Sequence, residues 1–346
     1  MIRLPSGTYA QDYGQDAALV RTKANWAFLA IVIVFVFTIP QWASNSFLAL
    51  STVIGITIIS AHGLNILTGN CGLVSLGHSG FMMVGGYALA ILCAKGGLPF
   101  WLALPISGLM AGVVGIIFGL PSLRIKGFYL IMATVAAYFI IHWLVLQFRS
   151  LTGGTEGLRV PSPDLFGLSL KDRAHYFYFV MVLVVIATIV AKNILRTRAG
   201  RAFVAIRDND LAAEVMGVNL FSYKLQAFFI GNVFAGIAGG LSVQYYLYAN
   251  VEQFPFFDSV WLLGMLIVGG MGSVSGAIYG AIAIKLLQQL ATKIGPPLAD
   301  LVNPQAAVGL GLILPSLAII LFLIFAPRGI SHIWERLRNY YQAWPF

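Results

Sequence analysis

The chain has 346 residues, of which 59% are hydrophobic and only 10% are charged. A soluble domain carries about 25% Asp, Glu, Lys and Arg, so this composition excludes an ordinary soluble enzyme, a disordered scaffold and a disulfide-rich secreted module. Lys and Arg number 21 against 12 Asp and Glu, a net charge of +9. The basic residues sit in short loops and form no single stripe, which fits the positive-inside bias of membrane proteins and speaks against nucleic-acid binding.

Residues 1–24 are polar and include Arg3, Asp12, Asp16, Arg21 and Lys23. They read as a cytoplasmic N-terminal tail before a retained first span, because a signal peptide would have a shorter basic region and a small-x-small cleavage site. Apolar segments follow at 26–42, 46–67, 72–94, 99–120, 127–147, 176–195, 225–247, 257–270, 273–291 and 306–326. Most approach the ~20 residues a helix needs to cross a bilayer. The first and the eighth are short, hence tilted, re-entrant or broken. Lipid offers backbone groups no partner, so the segments must be helical; a β-barrel would alternate polar and apolar residues. The expected fold is an all-α polytopic membrane protein with about 8–10 transmembrane helices, short or broken ones included.

Charge sets the expected orientation. Arg124 and Lys126 lie in loop 121–126. Lys192, Arg196, Arg198, Arg201, Arg207 and Lys224 lie in loop 192–224, and Arg328, Arg336 and Arg338 near the C-terminus. With ten crossings these regions and the N-terminus share one side, the cytoplasm. Loops 148–175 and 248–258 are mixed or acidic, with Glu156, Asp164, Asp172, Glu252 and Asp258. Cys71 and Cys93 bracket an apolar run of 21 residues. A continuous helix there would hold them ~33 Å apart, too far for a disulfide.

Several chemistries are missing. The dipeptide Gly-Lys does not occur, so there is no Walker motif; Gly269–Gly276 is glycine-rich but joins two apolar segments and lacks the lysine. The histidines His62, His78, His142, His175 and His332 have no ligand spacing. No acidic residue lies well inside a segment, which weakens both a membrane enzyme and a proton-coupled carrier. Glycines at helical spacing (Gly108, Gly112, Gly115 and Gly119; Gly231, Gly236, Gly239 and Gly240; Gly276 and Gly280) point to close helix packing or to surfaces that slide.

Three stretches are more informative. In Gly63–Tyr87 the polar residues Asn65, Thr68, Asn70, Ser75, His78 and Ser79 interrupt an apolar run, and Gly69, Gly72 and Gly77 can break its helices. Such backbone at membrane depth is either a satisfied interhelical turn or the lining of a path. Asn65, Ser75, His78 and Ser79, with Thr134 in the fifth segment, are the candidate pathway residues. In Arg196–Lys224, Asp208-Asn209-Asp210 can cap a short helix from Leu211 to Met216, stopped by Gly217. That helix is a docking element or part of a solvated linker. Leu151–Gly157 is a glycine-rich turn, flexible or folded over the mouth of the path. Lys285, near Gln288 and Gln289, is a snorkelling lysine or a counter-ion.

GLNILTGNCGLVSLGHSGF (Gly63–Phe81), LRIKGFYLIMATVAAY (Leu123–Tyr138), SLTGGTEGL (Ser150–Leu158), GRAFVAIRDNDLAAEVMGV (Gly200–Val218), YKLQAFFIGNVFAGIAGGL (Tyr223–Leu241) and GGMGSVSGAIYGA (Gly269–Ala281) follow in this order. Together they resemble the membrane permease subunits of the branched-chain amino acid ABC importer family, of the LivM type. The resemblance implies a permease domain over 25–330, with a coupling loop at 196–224 and a cytoplasmic tail at 331–346. It implies a bacterial inner-membrane location with both termini cytoplasmic. It also implies a second homologous permease, two cytosolic ATPases and a periplasmic binding protein as partners, with membrane lipid around them and no nucleic acid. The chain itself would be no enzyme and hold no cofactor, ATP and Mg being bound by the ATPases. Coupling would fall to Arg207, Asp208, Asp210, Ala212, Ala213, Glu214 and Gly217. Leu73, Ser79-Gly80 and Asn70-Cys71 depart from the family pattern. They bear on the cargo: branched-chain or related amino acids, or alternatively urea, short amides or aromatic carboxylates. The remote alternative is a carrier or channel that needs no ATPase.

Overall fold

The computed structural model describes residues 36–122, 127–165, 168–299 and 328–343, together with 34, 313, 316, 317 and 319–326. The helices are α1 Asn45–Leu64, α2 His78–Ala94, α3 Phe100–Ser122, α4 Phe128–Gln147, α5 Arg149–Thr152, α6 Arg173–Arg196, α7 Arg198–Asp208, α8 Asp210–Val215, α9 Leu220–Tyr246, α10 Phe256–Gly269, α11 Val274–Ala299 and α12 Gly329–Ala343. Residues 36–42 and 319–325 are also helical, and the rest of the first and tenth apolar segments lies outside the described residues. Seven helical stretches among the described residues are long and apolar enough to cross a bilayer, and α2 is a shorter apolar helix. The protein is all-α and polytopic, as its composition requires.

The third segment departs from the expected limits. Ser44 caps α1, its Oγ accepting from the Phe47 amide, and α1 then passes into a π-helical turn, Asn65–Asn70. Residues 72–77 are not helical, and α2 begins only at His78. The span Asn45–Asn70 is thus one element of 26 residues, and Cys71 and Cys93 are not the two ends of one helix. Both are buried free thiols. The wide π turn delivers the chain into a stretch that neither α-helix nor strand could make.

α9 is the spine of the fold. It packs on α1, α2 and α3, while α10 and α11 pack on each other and on the far side of α1. Glycines decide how close these helices come. A Cβ at Gly239 would overlap the Met82 carbonyl of α2, and one at Gly85 would overlap the backbone of Gly236. Gly108, Gly112, Gly115 and Gly119 all face α9, and Gly280 lies on the Met265 carbonyl of α10. The glycine stripes are therefore contact surfaces in this conformation, as small residues are in lipid where van der Waals packing drives association.

The connection between α4 and α6 is built, not loose. Thr152 Oγ1 donates to the Val145 carbonyl at 2.6 Å and accepts from the Gly154 amide at 3.1 Å. Strand β1, Leu158–Arg159, pairs antiparallel with β4, Tyr248–Ala249, with Leu158 opposite Ala249. Strands β2, Asp164–Leu165, and β3, Leu168–Ser169, form a small hairpin. Gln244 of α9 donates to the Pro161 carbonyl at 2.8 Å.

Close approach along α9 is testable. Gly239→Val should destabilise the detergent-solubilised protein by about 1–3 kcal/mol through overpacking, read as a lower thermal unfolding midpoint. Val113→Ala, on the exposed face of α3, should leave the midpoint nearly unchanged. Equal midpoints for both variants would contradict this packing.

Candidate functional site: a clasp between the broken span and the basic loop

The π turn is tied to the rest of the bundle by Asn65. Asn65 Oδ1 accepts from the Gly272 amide at 2.8 Å, and its Nδ2 donates to the Ser273 carbonyl at 3.2 Å. The Asn65 carbonyl in turn accepts from Asn70 Nδ2 at 3.1 Å. Thr68 Oγ1 donates to the Leu73 carbonyl at 3.1 Å. Asn65, 1% exposed, thus clamps the break after α1 to the turn between α10 and α11. Gly270 of that turn lies against Ser331 at the root of α12.

Arg207, at the end of α7, reaches the same place. Its Nη1 donates to the Gly69 carbonyl at 3.1 Å, while Nε donates to Asp208 Oδ1 at 2.9 Å. A charged donor makes a stronger hydrogen bond than a neutral one. Beside it opens a cavity of about 370 Å³ lined by Cys71, Gly72, Ile206, Arg207, Asp210 and Lys224. The basic loop and the broken span, two separate features of the sequence, meet at this carbonyl.

The loop itself is more helical than expected. Composition marked it as a basic connection, yet 198–208 forms α7, capped by Thr197 and held inward by Ala202, Phe203 and Ile206. The expected short helix is present as α8. Asn209 Oδ1 caps it from the Ala212 amide at 3.0 Å. It ends at Gly217, whose φ of +86° a side chain would rarely adopt. Asp210 pairs with Lys224 of α9 at 3.8 Å.

The structure divides the residues singled out for coupling. Arg207, Asp208 and Asp210 are engaged within the chain, and Ala213 is buried. Ala212, Glu214 and Gly217 are exposed. Sequence reasoning passed over three exposed apolar side chains here, Leu211, Val215 and Met216, the last two 87% and 83% exposed. Their i, i+4, i+5 spacing was the available signal. A neighbouring groove of about 540 Å³ is lined by Glu214, Gly217, Val218, Asn219, Leu220, Phe221 and Lys224.

The candidate pathway residues are all buried. His78 Nε2 lies 3.1 Å from the Ser60 carbonyl and so carries the proton there, and its Nδ1 has no protein partner among the described residues. The Ser79 amide donates to Ser259 Oγ at 2.9 Å, and Ser259 Oγ donates to Ser79 Oγ at 2.8 Å. Thr134 Oγ1 accepts from the Leu76 amide at 3.1 Å and donates to the Ile131 carbonyl. Ser75 Oγ is buried without a protein partner among the described residues. His78, Ser79 and Thr134 therefore pin the start of α2 to α1, α10 and α4, while Asn65 belongs to the clasp. Lys285 sits near the middle of α11, not near an end, and interacts electrostatically with Asp258 in the first turn of α10. Among the described residues no cluster of three His, Cys, Asp or Glu could hold a metal ion.

Residues 46–323 match the family described as "Branched-chain amino acid transport system / permease component". The chain is 34% identical over 299 residues to the high-affinity branched-chain amino acid transport system permease protein LivM of Escherichia coli K12, covering 80% of this chain and 70% of that protein. The LivM protein of Salmonella typhimurium LT2 is 32% identical over the same shares. A probable LivH permease of Methanocaldococcus jannaschii is 24% identical over 82% of this chain and 90% of its own length. The matched region contains α1 through α11, both halves of the clasp included, and the chain belongs to the branched-chain amino acid transport permease family.

Proposed function

We propose that this chain is one of two permease subunits of an ABC importer for branched-chain or related amino acids, in a bacterial inner membrane with both termini cytoplasmic. Its partner is a second permease of the LivH type, since relatives of this chain carry both names. Two separate ATPases bind ATP and Mg and hydrolyse ATP; a periplasmic binding protein delivers the cargo. This reading accommodates the lack of any Walker motif in the sequence.

The observation that carries it is the hydrogen bond from Arg207 to the Gly69 carbonyl. α8 offers a short, capped helix with bare apolar side chains to a cytosolic subunit. A displacement of α8 passes to α7 across Asn209 and so to Arg207. Arg207 moves the π turn, and Asn65 carries the 270–273 turn along with it. Both turns lie at the ends of spanning helices, so a push at the surface reaches the bundle through backbone and not through a chain of loose side chains.

The docking face is tested by Val215→Asp and Glu214→Arg. Each should lower uptake by the assembled transporter about tenfold or more, as loss of an interface hot spot does, and should equally lower stimulated ATP hydrolysis. Membrane content and thermal midpoint should hold. Uptake within twofold of the parent would overturn the docking assignment.

The clasp gives a different signature. Arg207→Gln and Asn65→Leu should keep ATP hydrolysis but lower the cargo moved per ATP. Asn65→Leu should also cost about 1–2 kcal/mol in thermal unfolding, the worth of hydrogen bonds within a membrane bundle. Hydrolysis and uptake falling in strict proportion would place Arg207 with the docking face instead.

A further inference from the structure

Among the described helices α7 and α12 are strongly amphipathic, and they meet different fates. The apolar face of α7 is covered by the protein, with Phe203 wholly buried. The apolar face of α12 is exposed at Ile333, Trp334 and Leu337. Its root is fixed: Ile330 packs against the α10–α11 cluster and Ser331 is buried against Gly270. From Ile333 to Leu337 every residue is exposed, and among them Ile333, Trp334 and Leu337 form one apolar strip at helical spacing, continued by Tyr340.

The placement of α12 narrows what covers that strip. The helical residues 319–325 end four residues before Gly329, and Leu321, Leu323, Ile324 and Phe325 on them are exposed apolar side chains. α12 therefore starts where a lipid-facing stretch stops, at the boundary of the bilayer. At 3.6 residues per turn positions 336 and 338 fall on the two edges of the apolar strip, each roughly 100° from its centre. Glu335 and Asn339 fall on the opposite side. An apolar strip edged by two arginines, with Trp and Tyr on it, is the pattern of a helix lying in the headgroup layer. Arginine stems can lie along the acyl boundary while their heads reach phosphate.

We propose that α12 is a binding site for anionic phospholipid. The helix lies along the bilayer surface, Ile333, Trp334 and Leu337 enter the acyl boundary, and the positive charge at positions 336 and 338 attracts the anionic headgroups. A protein partner would instead need acidic groups opposite both arginine edges and would have to reach a helix already at the lipid surface. This site lies outside the docking face and does not depend on it.

The test uses the full chain with Leu337→Cys, labelled with an environment-sensitive fluorophore; both native cysteines are buried, and labelled parent protein serves as the blank. It is reconstituted in vesicles of phosphatidylcholine, with and without phosphatidylglycerol, carrying a lipid with a quencher just below the headgroup. Quenching should be strong with phosphatidylglycerol and weak without it. Arg336→Gln and Arg338→Gln should each shift the equilibrium between inserted and detached helix about fivefold toward detachment, with thermal midpoints unchanged. Quenching equal in both vesicle types, or unchanged by both arginine variants, would overturn the proposal. So would a label that stays unquenched in both because a partner subunit or water covers it. A second label at Trp334→Cys, on the same strip, should report the same pattern.

Discussion

Where α10 gives way to α11 the chain leaves regular helix, and Asn65, from the π turn that follows α1, binds the freed backbone groups with both ends of its amide. A buried amide or carbonyl without a partner costs several kcal/mol in lipid surroundings. Asn65 supplies an acceptor to the Gly272 amide and a donor to the Ser273 carbonyl. The break after α1 and the break between α10 and α11 are thereby made into one object. The tie between them helps hold the π turn that carries the Gly69 carbonyl. The contact of Arg207 with that carbonyl follows from it.

The same constraint explains why the start of α2 is polar. Residues 72–77 run without helix between the π turn and His78, so their amides need partners from neighbours. Thr134 takes the Leu76 amide, and Ser259 takes that of Ser79. His78 closes the set by bonding the Ser60 carbonyl on α1. These side chains are sealed in this conformation. Any path that opens past them must separate α2 from α1 or α10 and break a bond at each step, which lipid cannot repair but water or a polar cargo can.

The spanning helices were legible because hydrophobic length is a local property. α3, α4 and α6 lie within a few residues of the limits that hydropathy sets. Gly69, Gly72 and Gly77 announced a break, and Asn209 with Gly217 announced α8 and its end. The role of Asn65 was not legible, since its partner lies 207 residues away and a polar side chain in an apolar run looks alike whether it lines a path or ties two turns. α7 was hidden for another reason. Its arginines read as a topology signal, and its few apolar residues gain meaning only once Ala202, Phe203 and Ile206 are seen buried. Lys285 was misplaced because its segment appeared to end sooner than α11 does, and the charge of Asp258 that answers it lies on another helix.

Arg207 serves the clasp in a way that a lysine could not match. One guanidinium nitrogen holds the Gly69 carbonyl while Nε holds Asp208, so the side chain is braced at its base and directed at its tip. Arginine's planar fork allows both bonds in one orientation, whereas an ammonium on a flexible stem would have to choose or swing. The bond falls on backbone, which cannot change rotamer to escape a push. A link of this kind carries displacement in both directions: a change in the π turn must also alter how α7 and α8 present Leu211, Val215 and Met216 at the surface. Reciprocity of that kind is a thermodynamic requirement of any coupling between two sites, and in the proposed importer its carrier would be two hydrogen-bonded turns and one arginine.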